Sequence, residues 1–263
     1  MLGEIVANAP WYFLVAARAL ALIETAPLLS SDATPQVAKI ALAGFVAFLA
    51  YPSAPIALWN VQPYSVDFAL LVVGEVLIGI IIGFYLTIIF SAFSTAGQLF
   101  SLQMGFGASE VYDPLAQIEN PLMGQYLNLI ALFTFLSASG FRKLFLGGFM
   151  RSLQSISAVS LVTSREGFLN LLLSGLSRLF IDAIVISMPI LGTLFLVSVG
   201  MGLLSKAAPQ MNLLTEGFPI SITVAFSLIL ITMPFLVESF VRVIDGGFFA
   251  IEGFLAHAGG GIK

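Results

Sequence analysis

The sequence predicts an all-α fold, a polytopic helical membrane protein forming a single integral-membrane domain over residues 1–263 with about six hydrophobic segments. Three observations carry this reading. First, 59% of the chain is hydrophobic and only 9% is charged, where a soluble globular domain carries about 25% charge. Ten Lys or Arg and 14 Asp or Glu cannot clothe a chain of this size in a polar skin. Second, five charge-free gaps exceed the roughly 20 residues that cross a hydrocarbon core at 1.5 Å per residue. They run from Ile40 to Val66, Val76 to Ser109, Asn120 to Phe141, Ala183 to Ser205 and Gly217 to Val237, with lengths of 27, 34, 22, 23 and 21 residues. Third, the alternating ten-residue strands of a membrane barrel are absent, which leaves helices as the way to satisfy backbone groups in lipid.

The first segment, Ile5 to Leu29, is interrupted by Arg18 and Glu24. It lacks the basic start and small-residue cleavage site of a signal peptide, so it reads as a helix of the protein. Arg18 and Glu24 are six apart, not on one helical face, and are expected to have separate partners. Ser30 to Pro35 forms the first break, and Tyr51 to Pro55 with Asn60 to Pro63 ends the second segment. The third segment opens near Glu75 and contains Gly79 and Gly83. From Ser94 to Pro121 the composition changes to glycines, amides, Met and Phe, which suits a bent connection at about 94–121 that lines or closes a polar passage; the alternative is a surface loop. After the fourth segment come Arg142, Lys143, Arg151 and Arg165, the best candidate for the cytoplasmic side. Leu144, Phe145, Phe149, Leu153 and Ile156 among these cations suggest an amphipathic or partner-packed helix. The last two segments contain Pro189 and Pro234, each expected to kink or break its helix.

Several function classes are disfavoured. A net charge of −4 argues against nucleic acid, which requires clustered cations. Without Cys, and with His257 as the single His, thiolate sites and most His-based metal or triad chemistry are excluded. The His-Glu-x-x-His, nucleophile-elbow and phosphate-loop motifs are missing. No metal or cofactor is expected, and an enzyme is disfavoured.

Four features remain as candidates. Glu75 places a carboxyl near the start of a hydrophobic helix, where it would serve either as a proton or ion site or as a cap or inter-subunit polar contact. The second reading is favoured because no second carboxylate or His lies on the same helix face. Gly79 and Gly83 leave a smooth strip for close helix packing. Arg178 and Asp182, four apart, suit an internal pair. The fourth is the 94–121 connection.

Beyond these, Gly74-Glu75-Val76-Leu77-Ile78-Gly79 with Gly83-Phe84, Gly97-Gln98, Gln103-Met104-Gly105-Phe106, Asp113-Pro114, Leu191 to Leu196, Gly202-Leu203-Leu204, Pro209-Gln210-Met211-Asn212 and Gly217-Phe218-Pro219 follow one another along the chain. In that order they resemble the FliR family of flagellar biosynthetic proteins and its counterparts in virulence type III secretion. The resemblance covers nearly the whole chain, and the Ala-Pro-Gln-Met-Asn and Gly-Phe-Pro pairing is its most specific part. Ser205-Lys206 stands where family members often carry an Arg before the Ala-Pro, so the cation is retained.

This resemblance implies long, kinked helices packed in a hetero-oligomeric export-gate shell at the flagellar basal body of the bacterial inner membrane. The subunit assembles with FliP and FliQ, contacts FlhB, and much of its apolar surface meets sister subunits as well as membrane lipid. Unfolded flagellar export substrates pass through the enclosed channel, and energy comes from a separate ATPase and the proton-motive force. It also implies a plug around Gln103, Met104, Gly105, Phe106, Gly107, Asp113 and Pro114, with Met104 and Phe106 excluding water. Two alternatives are an export gate for virulence secretion and, from a different class, a small-solute secondary transporter coupled through Glu75 and Pro189.

Overall fold

The computed structural model describes residues 8–31, 34–54, 59, 62, 65–105, 122–156, 165–208 and 213–259. Among them the secondary structure is helical, without strands. The helices are α1 (Ala9–Thr25), α2 (Gln36–Ala50), α3 (Val66–Met104), α4 (Leu122–Ser137), α5 (Gly140–Ser155), α6 (Arg165–Ala207) and α7 (Leu213–Gly259). A 3₁₀ turn, Tyr51–Ser53, follows α2, and the middle of α5, Lys143–Met150, is π-helical.

Local chemistry explains the boundaries. Pro10 opens α1, where its missing N–H costs nothing. At the start of α3 the Ser65 hydroxyl accepts the Phe68 N–H at 3.1 Å and Asp67 lies in the first turn, satisfying an orphan donor and the positive end of the dipole. Helix α3 stops at Gly105, whose φ of +91° is a left-handed conformation natural to glycine. Ser139, at φ 57°, separates α4 from α5.

Among the described residues four helices are long and apolar enough to cross a membrane: Gln36–Ser53, α3, α6 and α7. The α4–α5 pair, if taken as one broken span, makes a fifth. At 39, 43 and 47 residues, α3, α6 and α7 are each about twice the length a hydrocarbon core requires. Parts of these helices therefore lie beyond any bilayer they cross.

Two sequence expectations change here. Pro189 and Pro234 were expected to kink or break their helices; neither is a break, since α6 and α7 continue through them, as α7 does through Pro219. Each proline removes one donor, and the remaining bonds of so long a helix carry it past the gap. Residues 94–104, assigned above to a bent connection, are the last turns of α3.

The chain forms two compact units, with α3, α6 and α7 contributing to both. One comprises Met1–Ile89, Ser139–Leu176 and Asp245–Lys263; the other comprises Phe90–Ala138 and Ser177–Ile244. In the first, α1 lies against α3 along Gly79 and Gly83. A Cβ on Gly79 would strike the Arg18 carbonyl and come within 2.8 Å of Ala21 Cβ; one on Gly83 would strike Thr25. The predicted glycine strip is therefore an internal seam between helices of this chain. Leu14, Leu22, Ile78, Leu86 and Leu144 fill the surrounding core.

In the second unit the core is aromatic. Phe93 and Phe240 have centroids 4.4 Å apart, and Phe90 and Phe135 5.7 Å. Gly97 lies against the backbone of Gly124, where a Cβ would come within 2.6 Å of Gly124 Cα. That close approach, not a bend, explains the glycine in this stretch.

Helices α6 and α7 leave much apolar surface open. Only 28% and 22% of their most apolar stretches are buried, against 61% for α3. Phe180, Ile181, Val185, Met188, Phe195, Leu230, Ile231 and Phe235 are all exposed. Surface of this kind requires lipid or another protein against it.

Candidate functional site

Two residues from separate sequence motifs meet in the second unit. Gly105 ends α3, and the ring of Phe218, on the early turns of α7, covers the position a Gly105 side chain would occupy. Neither a Cβ nor a right-handed turn fits there, so both φ and space require glycine. Beside it Met104 is fully buried, while Gln103 is exposed and its amide N–H approaches the Ser198 hydroxyl of α6 at 3.4 Å. Gly217 lies near Met201, whose methyl is 3.9 Å from the would-be Cβ. Pro219 stays within α7, its carbonyl accepting the Thr223 hydroxyl at 2.7 Å. The last described residue before segment 106–121 is thus held against the Gly-Phe-Pro motif. Phe106, Gly107, Asp113 and Pro114 lie outside the described residues, as do Pro209, Gln210, Met211 and Asn212.

A second polar constellation is buried in the first unit. The Nε and Nη2 of Arg18 both reach Glu75 Oε2 at 2.5 Å. Nη1 donates to the Ser152 hydroxyl at 3.1 Å, and Nη2 to the Ile156 carbonyl at 3.0 Å. Ser152 in turn donates to the Phe149 carbonyl at 2.7 Å. One guanidinium thus ties α1 to α3 and to the end of α5, a use suited to its planar fork of donors. Both charged side chains are essentially inaccessible. The neighbour of Glu75 is a cation of the same chain, and the arrangement holds helices together.

Eight further charges among the described residues pair within the chain. Glu24 binds Lys39 at 3.2 Å, separate from Arg18, as the six-residue spacing implied. Arg178 and Asp182 approach to 3.9 Å, an i,i+4 pair with Arg178 exposed and Asp182 half-buried. Lys143 reaches Asp245 at 2.5 Å and Arg151 reaches Glu252 at 3.0 Å, joining α5 to the C-terminal part of α7. The sequence reading missed this ladder, although a signal was present: eight residues separate the cations and seven the acids, about two helical turns in each case. Leu144, Phe149, Leu153 and Ile156 are buried beside it, as expected for a packed helix. Among the described residues no His, Asp and Glu group has the form of a metal site.

The profile of the family described as "Bacterial export proteins, family 1" matches residues 9–247. The chain belongs to that family. Within it, the chain is 33% identical over 224 residues to the flagellar biosynthetic protein FliR of Escherichia coli, covering 85% of this chain and 84% of that protein. It is 34% identical over 190 residues to FliR of Borreliella burgdorferi, covering 72% and 71%. With FliR of Bacillus subtilis it shares 30% identity over 230 residues, covering 85% and 86%. The resemblance drawn from the motifs is therefore carried by most of the chain. This bacterial export protein is a flagellar export component with membrane-type apolar helices.

Proposed function

We propose that the chain is a structural, channel-forming subunit of the flagellar export gate in the bacterial inner membrane, at the basal body. It assembles with FliP and FliQ, contacts FlhB, and encloses the path taken by unfolded export substrates. The observation that carries the proposal is the contrast between helices: α3 is largely covered by its own chain, while the apolar faces of α6 and α7 are open. Sister subunits cover part of that surface in this reading.

The segment beginning at Gly105 acts as the plug. Its anchor is the contact with Phe218, which fixes where the segment leaves α3. Gln103 and Met104, on the last turn of α3, lead into it, and Gly105, Phe106, Gly107, Asp113 and Pro114 carry the plug role. Phe218, in the Gly-Phe-Pro motif of α7, holds that anchor. The chain performs no chemistry of its own in this account. Energy enters through other components.

A secondary transporter would need a carboxylate able to exchange ions, and Glu75 is held by Arg18 instead. Co-expression tests the assembly: tagged FliP is expected to retain this chain and FliQ through detergent purification. Recovery of tagged FliP without this chain, from membranes in which the chain is expressed and folded, would contradict it.

A further inference from the structure

The α6–α7 hairpin carries a second pair of features, unrelated to the plug. Arg178 and Asp182 on α6 face Ser239 and Arg242 on α7 around a cavity of about 180 Å³. Arg242 donates to Ser239 at 3.2 Å, Arg178 is 56% exposed, and Asp182 offsets one of the two guanidinium charges. One positive charge remains in excess. Glu238, one turn before Arg242, does not line this cavity.

A second cavity of about 240 Å³ adjoins the first, sharing Val185, Ile186 and Ser239 with it. Its further lining is apolar apart from Thr232, and includes Pro189, Phe235 and Leu236. The register places both features relative to the charge-free runs. Residues 178–190 lie opposite 243–232 in antiparallel fashion, so the runs Ala183 to Ser205 and Gly217 to Val237 begin and end together. Each run is long enough to cross a hydrocarbon core. The two arginines stand at the level where both runs stop, and the apolar trough extends into them.

A cationic head site next to an apolar trough, at the edge of two spanning-length runs, has the chemistry to hold an amphiphile. The geometry points to a binding site for an anionic phospholipid. Arg178 and Arg242 hold the phosphate with charge-assisted hydrogen bonds, and an acyl chain lies along Val185, Pro189 and Phe235. This site goes beyond the export-gate reading and does not depend on it.

The test uses the full chain in mild detergent, given phosphatidylglycerol or phosphatidylethanolamine of matched acyl chains, with retained lipid read by native mass spectrometry. Phosphatidylglycerol is expected to be retained several-fold over phosphatidylethanolamine. The double variant R178Q/R242Q should bring the two to the same level, and R178K/R242K should keep part of the preference. V185W, which fills the trough and leaves both arginines, should lower phosphatidylglycerol retention independently of any folding defect in the arginine variants. Unchanged preference in R178Q/R242Q, or unchanged retention in V185W, overturns the proposal. Full displacement of the lipid by equimolar glycerol 3-phosphate also overturns it, since the site would then take the free phosphate alone. So does loss of a sister subunit from R178Q/R242Q with lipid preference intact, which would assign the arginines to a protein partner's acid.

Discussion

Arg18 and Glu75, 57 residues apart, form a buried ion pair whose guanidinium also binds Ser152 and the Ile156 carbonyl. Three helices converge on one side chain. Taking two charges out of water is costly, and the pair is tolerated because nearly every donor of the fork is used. Its contribution is to fix the register of α1, α3 and α5.

Removing one partner leaves the other buried without its counter-charge. Arg18→Ala and Glu75→Ala should each destabilise the chain by about 3–5 kcal/mol, whereas Arg18→Met with Glu75→Leu should cost much less. Thermal unfolding in detergent reads the difference. A double variant as unstable as the sum of the singles would show that the pair does not act as a unit.

The Gly79–Gly83 seam predicts a steric effect. Gly83→Val should force α1 from α3, because its side chain would occupy the space of Thr25, with a cost of about 1–3 kcal/mol or more. Gly192 and Gly202 have nothing near a would-be Cβ. Gly192→Ala should therefore be neutral to slightly stabilising, since it adds helix propensity without a clash. Comparing the unfolding midpoints of these two variants separates packing from propensity.

At the mouth of the plug segment, Gly105→Ala combines a left-handed backbone with the Phe218 ring. The backbone part costs about 1–2 kcal/mol. Adding Phe218→Ala should recover the steric part and leave the backbone part, so a double-mutant cycle is expected to show coupling between the two residues. Additive effects would mean that the contact carries no energy.

Arg178 and Asp182 are separated by 3.9 Å, and Arg178 is 56% exposed. Exposed pairs of this kind contribute about 0–1 kcal/mol. Arg178→Ala should leave the unfolding midpoint nearly unchanged, and a large drop would show a structural role that the exposed geometry does not supply.

Much of this architecture is legible in the sequence because lipid-like burial writes itself as charge-free length. The gaps from Val76 to Ser109 and Ala183 to Ser205 locate α3 and α6. What they do not locate is where those helices begin, because charges at their flanks are paired: Glu75 with Arg18 and Asp182 with Arg178 let α3 and α6 run through charged sequence. Glu75 was visible as an unusual carboxyl, but its partner is 57 residues away and spacing cannot reveal it. Gly97 read as a bend because glycine signals both flexibility and close approach, and only the position of Gly124 distinguishes them. Prolines do not mark breaks for a related reason: the local cost is the same whether or not a long helix absorbs it. In the candidate site, Gly105 and Phe218 were each picked out by motif, while their contact is a property of the fold.

The central claim is that this chain helps seal an export channel through the segment that leaves α3 at Gly105. The most direct measurement is the ion conductance of bilayers containing the co-purified complex, with this chain intact or lacking Gly105 to Asp113. The account predicts that the deletion complex still assembles and passes small ions where the intact complex does not. An assembled deletion complex with the same low conductance as the intact one would contradict it.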